Sequence, residues 1–487
     1  MQKRFLRFFI PMLIAAVLLV PQFVAAAPVK LTWYMIYTPQ QDQSLVTAEA
    51  NKIIQRKLGC TVDIKVFDWG EYETKMRTII AAREPFDLCF TANWVNNYQQ
   101  NASRGAYLPL DVMLDRYAPQ LKALVGEKFW DTTRINGHIY GSVNLQIECM
   151  TAVVYFQKKL VDKYKFDYKN CKKFEDLEPF LKAVKENEPG VFPTDFVNQQ
   201  GGNFGKALTY HGFSELAGRN VPGAVYLSDK PATAKVINQF ATPEFKNWCQ
   251  LARDWYKKGY IRSDALSINN ADPEIKAGKI ACGLGGTYKP GGAAEASARF
   301  GLELVEIPFS KSYFSDNPTA TMHAISSNSR YPELAMKLLN LINTDKKLYN
   351  LLSYGIEGKH YKKVGPNRIE PLKGSKFMHG CSWEIGCVFN GYLLPGQPDD
   401  CWEETKKMND AALPAPVVGF NFNPKPVEAE ISQCVSVVNE FLSSLELGVA
   451  DPAETLPKFL DKLQKAGADK LIAEIQKQLE DWKKAKD

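Results

Sequence analysis

The stretch Gly283 to Lys289, GLGGTYK, ends a glycine-rich loop on a lysine, the pattern with which backbone N–H groups and an ammonium cradle a phosphate. Its spacing defeats that reading, because Tyr288 takes the place of the last glycine in GxGxxG and Pro290 follows Lys289. Hydrolysis by paired carboxylates has its nearest suggestion in Asp68 and Glu71, but solvated surface carboxylates look the same, since pairing is decided in space. No GxSxG elbow presents a nucleophilic serine. The five histidines, His138, His211, His323, His360 and His379, are scattered without HExxH spacing, so no metal and no cofactor is expected. Asn101 opens an NAS sequon, a three-residue signal that carries little.

What remains is an excess of aromatic and amide side chains. In FDLCFTANWVNNYQQ, Phe86 to Gln100, an apolar run stops at a tryptophan set among asparagines. Sugars present hydroxyl edges and faces of CH groups, so a site for them needs flat aromatic surfaces with amide and carboxylate partners. Trp94 beside Asn93, Asn96 and Asn97 fits that chemistry. The alternative is equally open at this point: Trp94 anchors a core and the asparagines cap the helix that follows. For Trp33 and Trp69 the core reading leads, because both adjoin runs that read as buried strands. Trp383, in the turn-rich HGCSWEIGC, is a second candidate platform.

The elements that must position these residues are legible from period. VKLTWYMIY alternates as a strand, QSLVTAEANKIIQRKLG follows at helical spacing with Gly59 as its stop, and CTVDIKVFDW, GEYETKMRTIIAARE and FDLCFT read as strand, helix and strand. That order predicts a parallel sheet with covering helices. In such sheets ligands sit beyond the carboxyl ends of the strands. Tyr34 and Tyr37, Trp69, and Asn93 with Trp94 all fall at or just after those ends, so topology assigns them one rim. From about Asn136 the chain is extended through NGHIYGSVNLQIECMTAVVYFQ, a segment suited to leave a first lobe for a second. The long stretch from Val191 to Lys230, rich in Gly, Asn, Gln and Pro, reads as a binding loop.

Beyond it, TPEFKNWCQLARDWYKKGYI is an amphipathic helix, and KIACGLGG, GLELVEIPF and TMHAISS are strands. YPELAMKLLNLINTDKKLYNLLSYG is a helix pair broken near Thr344. The tail is helical: Asp451 caps, Pro452 takes the first helical position, and Gly467 separates the last two helices. With no repeat and no low-complexity linker, two lobes are expected to interleave in sequence.

The first residues, MQKRFLRFFIPMLIAAVLLVPQFVAAAP, join three cations to an apolar run and a small-residue site, the layout of a signal peptide over residues 1–26 cleaved after Ala26. Pro11 and Pro21 bracket a run too short to span about 30 Å of hydrocarbon. About 460 residues remain, more than one hydrophobic core usually serves. The formal net charge of +6 includes Lys3, Arg4 and Arg7, which leaves about +3, too little for a nucleic-acid footprint. The ten cysteines form no CxxC pair; buried thiols and a bridge or two are both open, with Cys381–Cys387 the first candidate bridge.

Several of these segments resemble, in order and almost end to end, the extracellular solute-binding proteins of bacterial ABC importers, family 1, carbohydrate type. DWGEYETKMRTIIAAREPFDLCFTANW looks like that family's run from the second strand to a strand end that contacts ligand, and GAYLPLDVMLDRYAPQL like its next segment. NGHIYGSVNLQ resembles the crossover, YPELAMKLLNLINTDKKLYNLLSYGIEGKHY the helix pair and turn, and GFNFNPKPVEAEI with the last two helices a subgroup's ending. The resemblance implies an α/β, two-lobe, periplasmic-binding-protein-like (type II) fold with a hinge and C-terminal helices. It divides the chain into residues 27–145 plus about 302–345 as one lobe and 146–301 plus about 346–487 as the other.

By the same resemblance Asn93 and Trp94 line the first lobe's cleft rim, Asn144 and Gln146 the crossover, and Lys289 and Trp383 approach from the second lobe. It also implies a monomer in the periplasm that closes on a sugar and docks on a membrane permease, whose ATPase supplies the energy. Two features depart from the family pattern. No lipid-accepting Cys stands at the cleavage region, and Ser142 replaces the usual proline after IYG. Two other classes share parts of this pattern: an exported glycoside-acting enzyme, which needs two carboxylates across the scissile bond, and a peptide or amino-acid receptor, which needs a charged anchor such as an arginine in the cleft.

Overall fold

The computed structural model describes residues 28–199, 202–314 and 317–484. The expected signal peptide, residues 1–26, lies outside them. Alternation produces the first strand, Val29–Ile36 (β1), in which Leu31, Trp33 and Met35 are wholly buried. Gln43–Leu58 is a helix because Val46, Ala50, Ile53 and Ile54 fall on one face and are buried there. It ends at Gly59, whose φ of 70° permits the left-handed cap and lets its N–H bond the Gln55 carbonyl. The chain returns as Cys60–Phe67 (β2), covers the sheet with the helix Tyr72–Ala81, and enters Leu88–Thr91 (β3).

Gly141–Val143 (β4), Val153–Gln157 (β5), Phe192–Thr194 (β6), Ile280–Leu284 (β7), Leu304–Pro308 (β8) and Met322–Ile325 (β9) complete two sheets. The first has the order β2-β1-β3-β9-β4. Its opening strands are parallel, as their order predicts, while β9 is antiparallel to β3 and β4. The second has the order β8-β5-β7-β6, with β5 antiparallel to both neighbours and β7 parallel to β6. The chain therefore passes from the first sheet to the second between β4 and β5, and back between β8 and β9.

Each sheet has its own core. Around the first pack residues from Leu31 to Leu145, from Met322 to Leu352, and Cys381, Ile385 and Cys387. Around the second pack residues from Ala152 to Phe309 and from Val417 to Leu479. Every fully buried Leu, Ile, Val or Met adds about 1.5–3 kcal/mol of transfer free energy, so these memberships decide which segments move together. The helix Lys346–Tyr354 belongs to the first core through Leu348, Tyr349 and Leu352, with the Tyr349 hydroxyl bonding the Ser382 carbonyl at 2.9 Å. Strand β8 pairs with β5 and so lies in the second sheet.

Caps fall where residue types place them. The helix Pro332–Thr344 stops at Asp345, which accepts the Leu348 N–H at 2.8 Å and starts the helix Lys346–Tyr354. Asp451 accepts the Ala453 N–H at 2.9 Å ahead of Pro452–Lys465, and Ala468–Lys484 follows Gly467. All ten cysteines are buried and free. This corrects the expected Cys381–Cys387 bridge: the turn Ser382–Glu384 separates the two, and the Cys381 thiol bonds the His379 carbonyl at 3.4 Å instead. Closeness in sequence does not supply disulfide geometry. Among the described residues no helix is long and apolar enough to cross a membrane.

Candidate functional site

A cavity of about 430 Å³ lies where residues of both cores and of the crossing segments meet. One wall is aromatic. Trp69 follows β2, Trp94 follows β3, and Trp383 sits in the turn Ser382–Glu384; all three line the cavity and pack on the first core. Their ring centroids are 6.2 Å apart for Trp69 and Trp94, and 6.3 Å from each of these to Trp383, with Phe90 behind at 6.0 Å from Trp94 and 5.9 Å from Trp383. The Trp94 indole N–H donates to the Ala320 carbonyl at 2.8 Å, which fixes the ring plane. The Asn93 backbone N–H donates to the Thr319 carbonyl at 3.0 Å.

The asparagines beside Trp94 divide their roles. Asn97 caps the helix Tyr98–Ser103, accepting the Gln100 N–H at 2.9 Å. Asn96, with φ of 45°, is buried and donates to the Phe90 carbonyl at 2.9 Å. That tight turn leaves Asn93 and Trp94 half-buried on the cavity wall. The capping reading therefore holds at Asn97, while Asn93 and Trp94 face the cavity.

The opposite wall is charged and belongs to the second sheet and its loops. Lys289 pairs with Glu295 at 2.5 Å, Arg219 with Glu215 at 3.5 Å, and Arg299 with Asp272, and all six residues line the cavity. Glu295 and Arg299 lie one turn apart on the helix Gly292–Phe300 and so face the same way. The Arg299 guanidinium also lies 5.4 Å from the Trp69 ring, a cation–π contact that joins the two walls. Burial holds the Glu306 carboxyl up to about 7, against the pull of Lys289. Burial likewise raises Asp195 and lowers Lys206, each opposing the other's shift by its charge.

Gly283 owes its residue type to this wall. A Cβ there would lie 2.1 Å from the Asp195 carboxyl carbon, so the glycine makes room for Asp195 rather than for a phosphate. Two buried polar atoms of lining residues, Trp69 Nε1 and Glu295 Oε1, have no hydrogen-bond partner. Among the described residues no cluster of His, Cys, Asp or Glu has the arrangement of a metal site.

Of the residues singled out in the sequence, Trp94, Asn93, Gln146, Lys289 and Trp383 line the cavity. The Gln146 amide is already bonded to Thr321 Oγ1 at 2.9 Å. Tyr34, Tyr37 and Asn144 are not on its wall. Tyr37 is buried, stacked 4.4 Å from His379 with its hydroxyl on Gln43 Oε1 at 3.0 Å. Tyr34 stacks on Phe67 at 5.6 Å. Asn144 is fully buried between the Glu384 carbonyl, 2.8 Å away, and His323, 3.1 Å away. A strand end places a residue near a rim, but ring direction and local hydrogen bonds decide whether it faces outward.

Trp69 was read as core, and it lines the cavity. Of the charged wall, the sequence points to Lys289 and to the loop Val191 to Lys230, but not to Glu215, Asp272, Glu295 or Arg299 as individual residues. That loop supplies Asp195, Lys206 and Arg219, and the i, i+4 spacing of Glu295 and Arg299 was a further signal.

The sequence pattern of the bacterial extracellular solute-binding proteins matches residues 39–347, and a domain of unknown function (DUF3502) matches residues 416–484. A "Carbohydrate ABC transporter substrate-binding protein" of Streptococcus pneumoniae serotype 4 is 29% identical over 461 residues, covering 93% of this chain and 91% of that protein. Among solved structures, the N-glycan transport solute binding protein of S. pneumoniae in complex with Man5GlcNAc is 27% identical, with a TM-score of 0.84 over 94% of this chain and 99% of that one. The same protein with no ligand named gives a TM-score of 0.78 over 94% of this chain and 100% of that one. An alginate-binding protein, AlgQ2, at 15% identity and a TM-score of 0.62 over 93% of this chain and 98% of that one, shares the fold.

Proposed function

This chain belongs to the bacterial extracellular solute-binding proteins, and from that premise we propose that it is the substrate-binding component of a sugar ABC importer, holding an oligosaccharide between the two walls of its cavity. The observation that carries this reading is the pairing of three indoles on one wall with charge pairs on the other. Indole faces stack on the CH faces of pyranose rings, at about 1 kcal/mol each beyond area burial. Ion pairs offer a donor and an acceptor side by side, which suits vicinal hydroxyls. The unpartnered Trp69 Nε1 and Glu295 Oε1 supply one further donor and one further acceptor.

The two cores are the two lobes, joined where the chain crosses between β4 and β5, between β8 and β9, and again between Cys387 and Val417. Trp69, Asn93, Trp94 and Trp383 bind from the first, Lys289 and its neighbours from the second, and Gln146 from the crossing segment. Ligand that touches both walls shifts the population toward the closed arrangement by the amount it prefers that state. The likeness to an N-glycan transport protein makes a mannose-containing oligosaccharide of that type the first ligand to test. The protein holds its guest without altering a bond in it, works as an exported, periplasmic monomer after loss of residues 1–26, and hands the sugar to a membrane permease.

A thermal-shift series with Man5GlcNAc, unrelated oligosaccharides and short peptides tests this. A tight ligand at about 100 times its dissociation constant stabilises the fold by about 2.7 kcal/mol. Stabilisation by sugar with intact sugar recovered supports the reading; sugar turnover, or stabilisation by peptides alone, overturns it.

A further inference from the structure

At one rim of the cavity the two walls are joined by a closed circuit of five side chains. Asp68, one residue past β2, accepts the Thr38 hydroxyl with Oδ1 at 3.0 Å and the Asn270 side-chain N–H with Oδ2 at 3.2 Å. Asn270 in turn accepts the Asp272 backbone N–H with its Oδ1 at 2.9 Å, fixing the start of the helix Asp272–Lys276. Asp272 holds Arg299, and Arg299 lies over the ring of Trp69, the neighbour of Asp68 in sequence. The circuit runs from first lobe to second and back. None of its members lies in the crossing segments, so parting of the walls must break it at Asp68–Asn270 and at Arg299–Trp69.

We propose that Asp68 and Asn270 are positioning residues of the sugar site: their bond across the rim holds the walls together and sets the Trp69 indole against Arg299, so that both govern ligand affinity without touching ligand. The affinity part rests on the sugar-binding reading; the closure part does not. Asp68 is suited to the task because Thr38 orients its carboxylate from the first lobe, leaving one oxygen aimed across the gap. A hydrogen bond to a charged group is stronger than one between neutral groups. Both residues are half-buried, where such a bond is less screened than at an open surface.

The test exchanges the two functional groups. Asn270→Asp keeps the acceptor for the Asp272 N–H and replaces the donor facing Asp68 with a second carboxylate. In ligand-free protein it is expected to raise the radius of gyration in X-ray scattering and the acrylamide quenching of tryptophan emission. It is expected to weaken Man5GlcNAc binding about tenfold, the scale of one charge-assisted hydrogen bond. The double variant Asp68→Asn with Asn270→Asp restores donor and acceptor with reversed polarity, and is expected to return all three readouts toward the native values. Far-UV circular dichroism confirms that both variants are folded, and should the single variant fail to fold, refolding with native quenching in the swap supports the pair. Unchanged scattering and quenching in the single variant overturn the proposal, as does a swap that restores nothing. If native protein binds no sugar, the scattering and quenching arms still decide closure, and the failure belongs to the ligand assignment alone.

Discussion

The cavity wall contributed by the first lobe and the wall contributed by the second are built from different chemistry. On the first, Trp69, Trp94 and Trp383 are backed by Phe90 and pack on an apolar core. On the second, Lys289–Glu295, Arg219–Glu215 and Arg299–Asp272 present charges already neutralised by one another. On the sugar-binding reading, the first wall gains free energy by removing apolar surface from water. The second gains little from area but penalises any guest whose hydroxyls fail to meet its donors and acceptors, because unmade buried hydrogen bonds are expensive. On the sugar-binding reading proposed above, affinity is expected to concentrate on the indole wall and discrimination on the charged wall.

The largest break in that comparison is Trp94→Ala. Removing the central indole is expected to weaken Man5GlcNAc binding about thirtyfold, the scale of an interface hot spot of about 2 kcal/mol, as read by titration calorimetry. Asp272→Asn comes next. It strips Arg299 of its partner, whose side chains are 20% and 14% exposed, and is expected to cost about 1–2 kcal/mol of stability in urea unfolding, less than for a fully buried pair. Its effect on affinity should be smaller than that of Trp94→Ala. A larger one would reverse the assignment of affinity and discrimination to the two walls.

Titration near neutral pH probes buried carboxyls on and behind the second wall. Burial raises Glu306 and Glu446 to about 7, and Glu148 in the crossing segment to about 8. A raised carboxyl keeps in the folded state a proton that the unfolded chain has released, so stability falls as pH climbs toward the folded value. The buried imidazoles act in the opposite sense, since burial lowers His211 and His323 to about 3 and His379 to about 4, and their gain with pH is nearly complete by about one unit above the unfolded value of about 6.5. From pH 6.5 to 8 the stability in urea unfolding is expected to fall by about 2 kcal/mol net, and Glu446→Gln to flatten that slope. The smallest effect belongs to Tyr34→Phe. Off the cavity and packed on Phe67, it should leave affinity within about threefold and stability within about 0.5 kcal/mol.

The aromatic wall was partly legible before folding because strand ends are local features. Trp94 stands in a turn made by its own neighbours, Asn96 and Asn97, so its place on the rim follows from a few residues of sequence. Trp69 and Tyr37 show the limit of that reasoning. Both follow strands, yet Trp69 lines the cavity while Tyr37 is covered by His379, which comes from far along the chain. Beyond Lys289 and the loop Val191 to Lys230, the charged wall was illegible for a related reason. Glu295 and Arg299 look like any solvated i, i+4 pair until Lys289 and Asp272 approach them, and Asp195 acquires its burial only because Gly283 has no side chain.

By itself the sequence determined the periodic elements and their ends: the alternation of β1, the face of Gln43–Leu58, the left-handed stop at Gly59, and the caps at Asp345 and Asp451. Each is set by interactions within a few residues. Tertiary structure alone decided which rings face the cavity, which charges neutralise one another, and that all ten thiols remain free. Those outcomes depend on contacts such as Asp68 with Asn270, 202 residues apart, whose formation follows from how two separate cores come together and leaves no periodic trace in either segment.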